Sequence, residues 1–119
     1  MSLYKTGTDL IAEAKTRVTE VTPRDALVLH GQDIVFLDVR EPNEWNLGYI
    51  PGAIRLPRGQ LEGKVEEVIG RDKHIVIYCA AGNRSALAAD TMQQMGYDHV
   101  ASLHDGFRGW VEAGGPIQD

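Results

Sequence analysis

The single cysteine of this chain, Cys79, stands where a strand would pass into a loop and then a helix. Residues 75–77 form a short β-branched apolar run, which predicts a buried strand. Small and turn-forming residues follow, and an alanine-rich run after Ser85 predicts a helix. In such a loop, successive backbone N–H groups converge on one point. These amides, the helix N-terminus and the Arg84 guanidinium would favour a thiolate, the nucleophilic form of cysteine.

The loop residues weigh against the simpler interpretation of Cys79 as a core residue. A lone cysteine behind an apolar strand is usually a small buried hydrophobe without chemistry. Gly82 and Asn83, however, tolerate the positive φ that a backbone anion nest requires. Arg84 and Ser85 would add a fixed charge and a hydroxyl at its rim. A structural cysteine needs none of these features, so we predict a reactive thiol.

Residues 79–85, Cys-Ala-Ala-Gly-Asn-Arg-Ser, resemble the active-site loop of the rhodanese family in its bacterial single-domain form. In that family the cysteine accepts sulfane sulfur as a persulfide and passes it to a thiophilic acceptor. The resemblance implies that Cys79 is the catalytic nucleophile, without a cofactor or metal. It also implies that the loop amides hold the persulfide and an anionic donor, that Arg84 neutralises charge and that Ser85 hydrogen-bonds the sulfur. The implied substrate-binding residues are Ala80, Ala81, Gly82, Asn83, Arg84 and Ser85.

Two flanking segments extend the resemblance to about residues 18–116. Residues 37–53, Leu-Asp-Val-Arg-Glu-Pro-x-Glu-Trp-x-x-Gly-x-Ile-Pro-Gly-Ala, are similar to the N-terminal signature of rhodanese domains. The departure is Tyr49, because the family commonly has a histidine there that is regarded as structural. Residues 106–114, Gly-Phe-Arg-Gly-Trp-x-x-Ala-Gly, resemble the C-terminal signature, whose aromatic residue packs near the active-site loop. Three segments in the family's order therefore agree.

Asp38 and Arg40 are candidate supporting site residues, because they end a predicted buried strand at residues 33–40. The carboxyl ends of strands carry the sites of open parallel sheets. Asp38 is equally well explained as a turn-forming aspartate. Arg40 could instead form a surface ion pair with Glu41 or Glu44.

The C-terminal signature supplies two further candidates, Phe107 and Arg108, which could line the pocket. Trp110 is expected in the core instead, as is usual for an indole. The four histidines have no metal-ligand spacing, and with one cysteine in the chain a zinc site is not expected.

The order of elements predicts an α/β fold, rhodanese-like, with a five-stranded parallel sheet and helices on both faces. We expect one domain over residues 1–119, with residues 1–17 as a helical extension whose helix, 9–17, packs as a lid on the sheet. Leu10, Ile11, Ala14 and Val18 have helical spacing and would lie on its buried face. The other predicted helices are at residues 22–31, 41–45 and 60–69, and after Ser85. Val68 is expected on the buried face of the helix at 60–69. The predicted strands are at residues 18–21, 33–40, 53–56, 75–77 and 99–103.

Composition limits the function classes. A net charge of −5 without a basic block makes nucleic acid an unexpected partner. One cysteine excludes an intrachain disulfide and favours a reducing compartment. No apolar run approaches the roughly 18 residues of a membrane span, and there is no signal-peptide core. We therefore expect a cytoplasmic protein without a membrane partner.

Three other functions remain open at this stage. A cysteine-dependent phosphatase or arsenate reductase would use a similar cradle, but such loops hold one residue more than the four that separate Cys79 from Arg84. Tyr78 also stands where phosphatases usually have histidine. A non-catalytic regulatory module usually lacks the cysteine, whereas a sulfur relay would use the same persulfide with a protein acceptor.

The donor and the acceptor are less well specified. Ala80 and Ala81 add no charge at positions that are basic in some relatives and attract thiosulfate. Thiosulfate is the default donor, although glutathione persulfide or a protein donor would suit the neutral rim equally well. Cyanide, small thiols or a protein cysteine are the expected acceptors.

Overall fold

The computed structural model describes residues 3–119. Its centre is one five-stranded sheet with the strand order β1-β5-β4-β2-β3, and all neighbouring strands are parallel. The predicted α/β fold with a five-stranded parallel sheet is therefore confirmed. The strands are β1 (Thr19–Val21), β2 (Val35–Asp38), β3 (Ile54–Arg55), β4 (Ile75–Tyr78) and β5 (Val100–Leu103).

Helices cover both faces of the sheet, as predicted. The first face packs against α3 and α4, and the second against α2 and α5. Two short 3₁₀ helices, Pro42–Leu47 and Arg58–Gln60, follow β2 and β3. The α-helices are α1 (Gly7–Arg17), α2 (Pro23–Leu29), α3 (Leu61–Val68), α4 (Asn83–Gln94) and α5 (Gly106–Glu112).

The central strand β4 sets the direction in which the cysteine points. Ile75, Ile77 and Cys79 belong to the core on the α3 and α4 face, whereas Val76 and Tyr78 belong to the core on the other face. This alternation is the two-residue period of an extended strand that is buried on both sides. Cys79 therefore leaves the sheet on the same side as α4, the helix that follows it.

The N-terminal helix α1 does not lie on the sheet, so the predicted lid is wrong. It packs on the outside of α4, because α4 already covers this face. Arg17 binds Asp90 of α4 through two hydrogen bonds of 2.9 and 2.8 Å. Leu10, which we expected on the buried face, is 49% exposed, whereas Ala14 is fully buried. Residues 1 and 2 of the predicted extension lie outside the described residues.

Smaller differences concern element ends. Val68 was expected in the core but is half-exposed, because α3 ends at this residue. The next residue, Ile69, has an extended backbone, and its side chain is buried in place of that of Val68. The helix predicted at residues 41–45 is the 3₁₀ helix Pro42–Leu47. Within residues 3–119, no helix is both long and apolar enough to cross a bilayer.

Candidate active site

The loop after β4 folds into a tight turn that begins α4. Gly82 is the N-cap of α4 and has a φ of 100°, a conformation that glycine adopts without strain. A Cβ at this position would lie 3.3 Å from the Asp105 nitrogen and the Leu103 oxygen. Asn83, also expected at a positive φ, is instead the first residue of α4. The helix therefore begins before Ser85, and among the loop residues 79–85 only Gly82 has a left-handed backbone.

The thiol of Cys79 is the point on which this loop converges. The backbone N–H groups of Gly82 and Ser85 donate to Sγ, with N···S distances of 3.1 and 3.3 Å. The Ser85 hydroxyl lies 3.5 Å from the sulfur and shares a 2.8 Å hydrogen bond with the Ser102 hydroxyl. Donors of this kind at a helix N-terminus stabilise negative charge on sulfur. Cys79 is only 1% exposed, so little water competes with them.

Arg84 is at the rim, as expected, but its guanidinium is already bound. It makes two hydrogen bonds of 2.7 and 3.0 Å to the carboxylate of Glu44. These bonds hold the pKa of Glu44 at about 2 and raise the pKa of Arg84. Sequence reasoning missed Glu44 as a member of the site. Its spacing three residues after Glu41 fits a capping box, but nothing local indicates a partner in α4.

Glu44 is fixed in place by its own 3₁₀ helix. The Glu41 backbone N–H donates to the Glu44 carboxylate at 2.9 Å, at the start of Pro42–Leu47. The carboxylate therefore accepts hydrogen bonds from two elements that are far apart in sequence.

Asp38 and Arg40 form a buried ion pair at the carboxyl end of β2. The shortest of their hydrogen bonds, from Arg40 Nη2 to Asp38, is 2.7 Å, and the side chains are 0% and 3% exposed. The expected surface pairing of Arg40 with Glu41 or Glu44 is therefore wrong. Burial lowers the pKa of Arg40, but the hydrogen bonds to Asp38 and the negative charges around the guanidinium together outweigh burial, so the Arg40 pKa is raised.

This pair supports the segment that carries Glu44. Asp38 also accepts the backbone N–H of Arg40 at 3.0 Å, which is the turn-forming role anticipated for it. Arg40 donates to the carbonyl of Glu44 at 3.3 Å and to the carbonyl of Gly48 at 2.7 Å. Asp38 and Arg40 are thus positioning residues, because they fix the segment of residues 44–48 relative to the sheet.

A cavity of about 220 Å³ opens beside the loop. Phe107 lies under the Arg40 guanidinium, 4.4 Å from the ring centre, and Leu47 at the rim is 78% exposed. A larger hollow of about 280 Å³ lies at the opposite ends of the strands and includes no residue of the cysteine loop. The cavity beside Cys79 is the one we consider for substrates, and its lining residues are Arg40, Glu44, Leu47, Ala80, Phe107 and Arg108.

The first turn of α5 holds the backbone of the cysteine loop. The N–H of Phe107 donates to the Cys79 carbonyl at 2.8 Å, and the N–H of Arg108 donates to the Ala80 carbonyl at 3.2 Å. Gly106 has a φ of 55°, and a Cβ there would lie 2.5 Å from the Cys79 oxygen. The close approach therefore requires glycine, a role that sequence reasoning missed.

Trp110 and the histidines take no part in this cavity. Trp110 is fully buried in the core, as predicted, and its indole N–H donates to the Pro116 carbonyl at 2.8 Å. In the described part of the chain, no three His, Cys, Asp or Glu side chains are grouped as metal ligands.

Comparison with known proteins places this loop in a family context. The rhodanese-like domain model matches residues 24–113. A sulfurtransferase of Allochromatium vinosum is 37% identical over 86 residues, which span 72% of this chain and 79% of that protein. The thiosulfate sulfurtransferase GlpE of Actinobacillus succinogenes is 32% identical over 101 residues, 84% of this chain and 90% of its own length.

A solved structure with the same arrangement has a different description. A protein of unknown function from Rhodopseudomonas palustris, described as a possible tyrosine phosphatase, has a TM-score of 0.89 and 37% identity to this chain. The match covers 99% of this chain and 98% of that one. The descriptions of similar proteins thus include both sulfur transfer and phosphatase chemistry.

Proposed function

The chain belongs to the rhodanese-like domain family, and from this premise we propose that it is a sulfurtransferase that carries sulfane sulfur as a persulfide on Cys79. One observation carries the proposal. The N–H groups of Gly82 and Ser85 are directed at the sulfur of Cys79 itself, within 3.3 Å. Such a cradle suits a negative charge that resides on sulfur before and after transfer.

The reaction takes place in two steps. The Cys79 thiolate attacks the outer sulfur of thiosulfate; the new S–S bond forms on Cys79, and the old one breaks with its electron pair leaving on sulfite. The acceptor, such as cyanide, then attacks the outer sulfur of the persulfide and restores the thiolate. Covalent transfer of this kind follows ping-pong kinetics.

The loop residues have separate roles in this scheme. The amides of residues 80–85 stabilise the persulfide anion. The Ser85 hydroxyl accepts from the Cys79 thiol at 3.5 Å and turns to donate to the sulfur once it is ionised. Arg84 contributes positive charge at the rim, reduced by its pairing with Glu44. No general base is needed if the thiolate is formed in advance, and the loop 79–85 contains no histidine.

Thiosulfate is the reference donor in this proposal, with support from the similarity to a thiosulfate sulfurtransferase. Cyanide, a small thiol or a cysteine of another protein serves as the acceptor. A protein acceptor would make the chain a sulfur relay with unchanged chemistry at Cys79. Cys79 is a free thiol that the mechanism needs in its reduced form, which suits a reducing compartment, and we propose the cytoplasm.

Phosphatase activity is the second candidate, because a similar structure is described as a possible tyrosine phosphatase. A phosphate ester places a tetrahedral oxyanion in the loop, so the amides and the arginine must bind oxygen rather than sulfur. Here two amides are directed at Sγ, and both Nη atoms of Arg84 donate to the carboxylate of Glu44. These contacts favour sulfur transfer.

Intact-mass spectrometry without reductant tests the proposal, using wild type and Cys79→Ala after incubation with thiosulfate. We expect wild type to gain about 32 Da, one sulfur, with the gain removed by cyanide and absent in the variant. Circular dichroism of Cys79→Ala controls for folding. Sulfur transfer at an undiminished rate in the variant would contradict the mechanism, and hydrolysis of an aryl phosphate without any mass gain would favour the phosphatase.

A further inference from the structure

We propose that Glu44 sets the donor preference of this site: by neutralising Arg84 it disfavours compact dianions such as thiosulfate and favours monoanionic sulfane donors with an apolar body. This inference rests on the proposed sulfur transfer and specifies its substrate class. It follows from the charges and the walls of the cavity beside Cys79.

The first argument is that the loop cation is compensated. Arg84 and Glu44 meet through paired nitrogens and oxygens at 2.7 and 3.0 Å, the geometry in which guanidinium and carboxylate bind most strongly. Glu44 is held by the Glu41 N–H as well, at 2.9 Å. Its pKa of about 2 keeps the carboxylate charged throughout the neutral range. A donor that approaches Cys79 therefore meets an ion pair where it would otherwise meet a free cation.

The second argument concerns the other charges at the cavity. Arg40 is neutralised by Asp38 at 2.7 Å. Arg108 is exposed, lines the cavity and forms no ion pair with any residue of the described chain. One uncompensated positive charge thus remains at the mouth. It matches a donor with one negative charge better than a donor with two.

The third argument concerns size and polarity. Phe107, Leu47 and Ala80 give the cavity apolar walls, and its volume is about 220 Å³. This volume is far larger than the about 10 to 15 Å³ that a single water requires. Thiosulfate does not fill this space or use its apolar surface. A donor with a hydrocarbon body attached to the reactive group does both.

Thiosulfonates allow charge and apolar contact to be varied without changing the reaction. Cys79 attacks the outer sulfur of RSO₂–S⁻, the S–S bond breaks and the electron pair leaves on the sulfinate RSO₂⁻, while Cys79 keeps the transferred sulfur as a persulfide anion. Thiosulfate reacts in the same way and releases sulfite. Methanethiosulfonate has one negative charge and a small body, whereas benzenethiosulfonate has one negative charge and an aromatic body.

The test is kcat/KM for these three donors with wild type and Glu44→Gln, each rate divided by that of a free small thiolate to remove intrinsic reactivity. Glutamine keeps the oxygen that accepts from the Glu41 N–H and removes the charge. Removing a unit charge several ångströms away in a partly solvated site changes kcat/KM by about 3-fold for a monoanion. For a dianion the interaction energy doubles, so the factor is squared and kcat/KM changes by about 10-fold. We expect Glu44→Gln to raise the rate by about 10-fold with thiosulfate and about 3-fold with both thiosulfonates.

Three variants serve as controls. Glu44→Asp keeps the charge and should not favour thiosulfate. Glu66 lies on α3 and forms an exposed ion pair of 2.9 Å with Arg71. Glu66→Gln removes this pair and should leave all three rates unchanged. Leu47→Ala, at an exposed position on the rim, should lower the rate with benzenethiosulfonate by about 3-fold more than the rate with thiosulfate, since only the aromatic donor uses the apolar wall.

The outcomes separate this inference from the function on which it rests. If wild type forms the persulfide but Glu44→Gln changes all three rates by the same factor, charge selection by Glu44 is wrong and sulfur transfer stands. If none of the three donors loads Cys79 of the wild type, both proposals fail. A circular dichroism spectrum of Glu44→Gln that matches wild type at the assay temperature confirms that the comparison is between folded proteins.

Discussion

At the scale of single residues, the groups that contact the sulfur of Cys79 differ from the groups that set the electrostatic charge near it. Backbone amides and Ser85 contact the sulfur of Cys79, whereas the guanidinium of Arg84 is bound to the carboxylate of Glu44. Amide donors are not removed by mutation of their own side chains, so the sulfur cradle tolerates any substitution that keeps the backbone conformation of the loop. The side-chain charges are easily changed and are therefore suited to set donor preference.

The hydroxyl of Ser85 is the side-chain donor that can be removed from the cradle. Ser85→Ala should lower the rate of persulfide formation by about 10-fold, because loss of one preorganised donor weakens stabilisation of the charged sulfur. Stopped-flow or quench kinetics with mass detection measure this step. Ser102→Ala removes the partner of Ser85 and leaves the donor itself, so a loss in Ser102→Ala as large as in Ser85→Ala would contradict direct donation.

At the scale of elements, the site is assembled from three connections to the end of β4. The loop 79–85 is local, the 3₁₀ helix 42–47 brings Glu44, and the first turn of α5 binds the loop backbone. The buried pair of Asp38 and Arg40 fixes the 3₁₀ helix to β2. The arrangement depends on the adjacent positions of β2, β4 and β5 in the sheet.

The contact between α5 and the loop predicts a strong effect of Gly106→Ala. An added Cβ would lie 2.5 Å from the Cys79 oxygen, at a φ of 55°. We expect a loss of about 2 to 4 kcal/mol in the free energy of unfolding, measured by urea titration, and slower persulfide formation.

Gly31 provides the matched control for this substitution. It has a φ of 90° and no neighbour within 4 Å of an added Cβ. Gly31→Ala should therefore cost only the left-handed backbone strain of about 1 to 2 kcal/mol and leave persulfide formation intact. Equal losses in the two variants would show that the contact with the loop is unimportant.

At the scale of the whole molecule, two ion pairs fasten outer segments to α4. Arg84 in its first turn binds Glu44 of the 3₁₀ helix 42–47, and Asp90 binds Arg17 of α1. The hydrogen bonds to Arg17 also lower the pKa of Asp90. Protonation of either carboxylate would weaken the connection that it makes to α4.

Acid stability should therefore depend on Glu44. Its pKa falls from 4.5 to about 2 on folding, so its contribution is fully present above pH 4.5 and is lost as the pH falls toward 2. The partly solvated pair limits this contribution to about 1 to 2 kcal/mol. Urea unfolding of wild type between pH 6 and about pH 2.5 should show this loss, and Glu44→Gln should lack it. Parallel pH profiles for the two proteins would contradict the assignment.

The sequence by itself determined what is local. The β-branched strand, the glycine turn and the helix after it follow one another within residues 75–94, so their geometry depends on near neighbours. The alternation of elements, together with the three signatures, predicted the parallel sheet with helices on both faces. Asp38 as a turn former and Trp110 in the core were also accessible, because each follows from its residue type and its place beside an apolar run.

Only the tertiary structure decided which distant groups meet. Glu44 and Arg84 are 40 positions apart, and neither has a local feature that identifies the other. The same holds for the backbone of α5 on Cys79, the burial of Arg40 and the packing of α1 on α4. These contacts depend on strand order and on which face each helix covers. Local residue types therefore specified the proposed nucleophile and its loop, while the order of strands in the sheet fixed the charges that surround them.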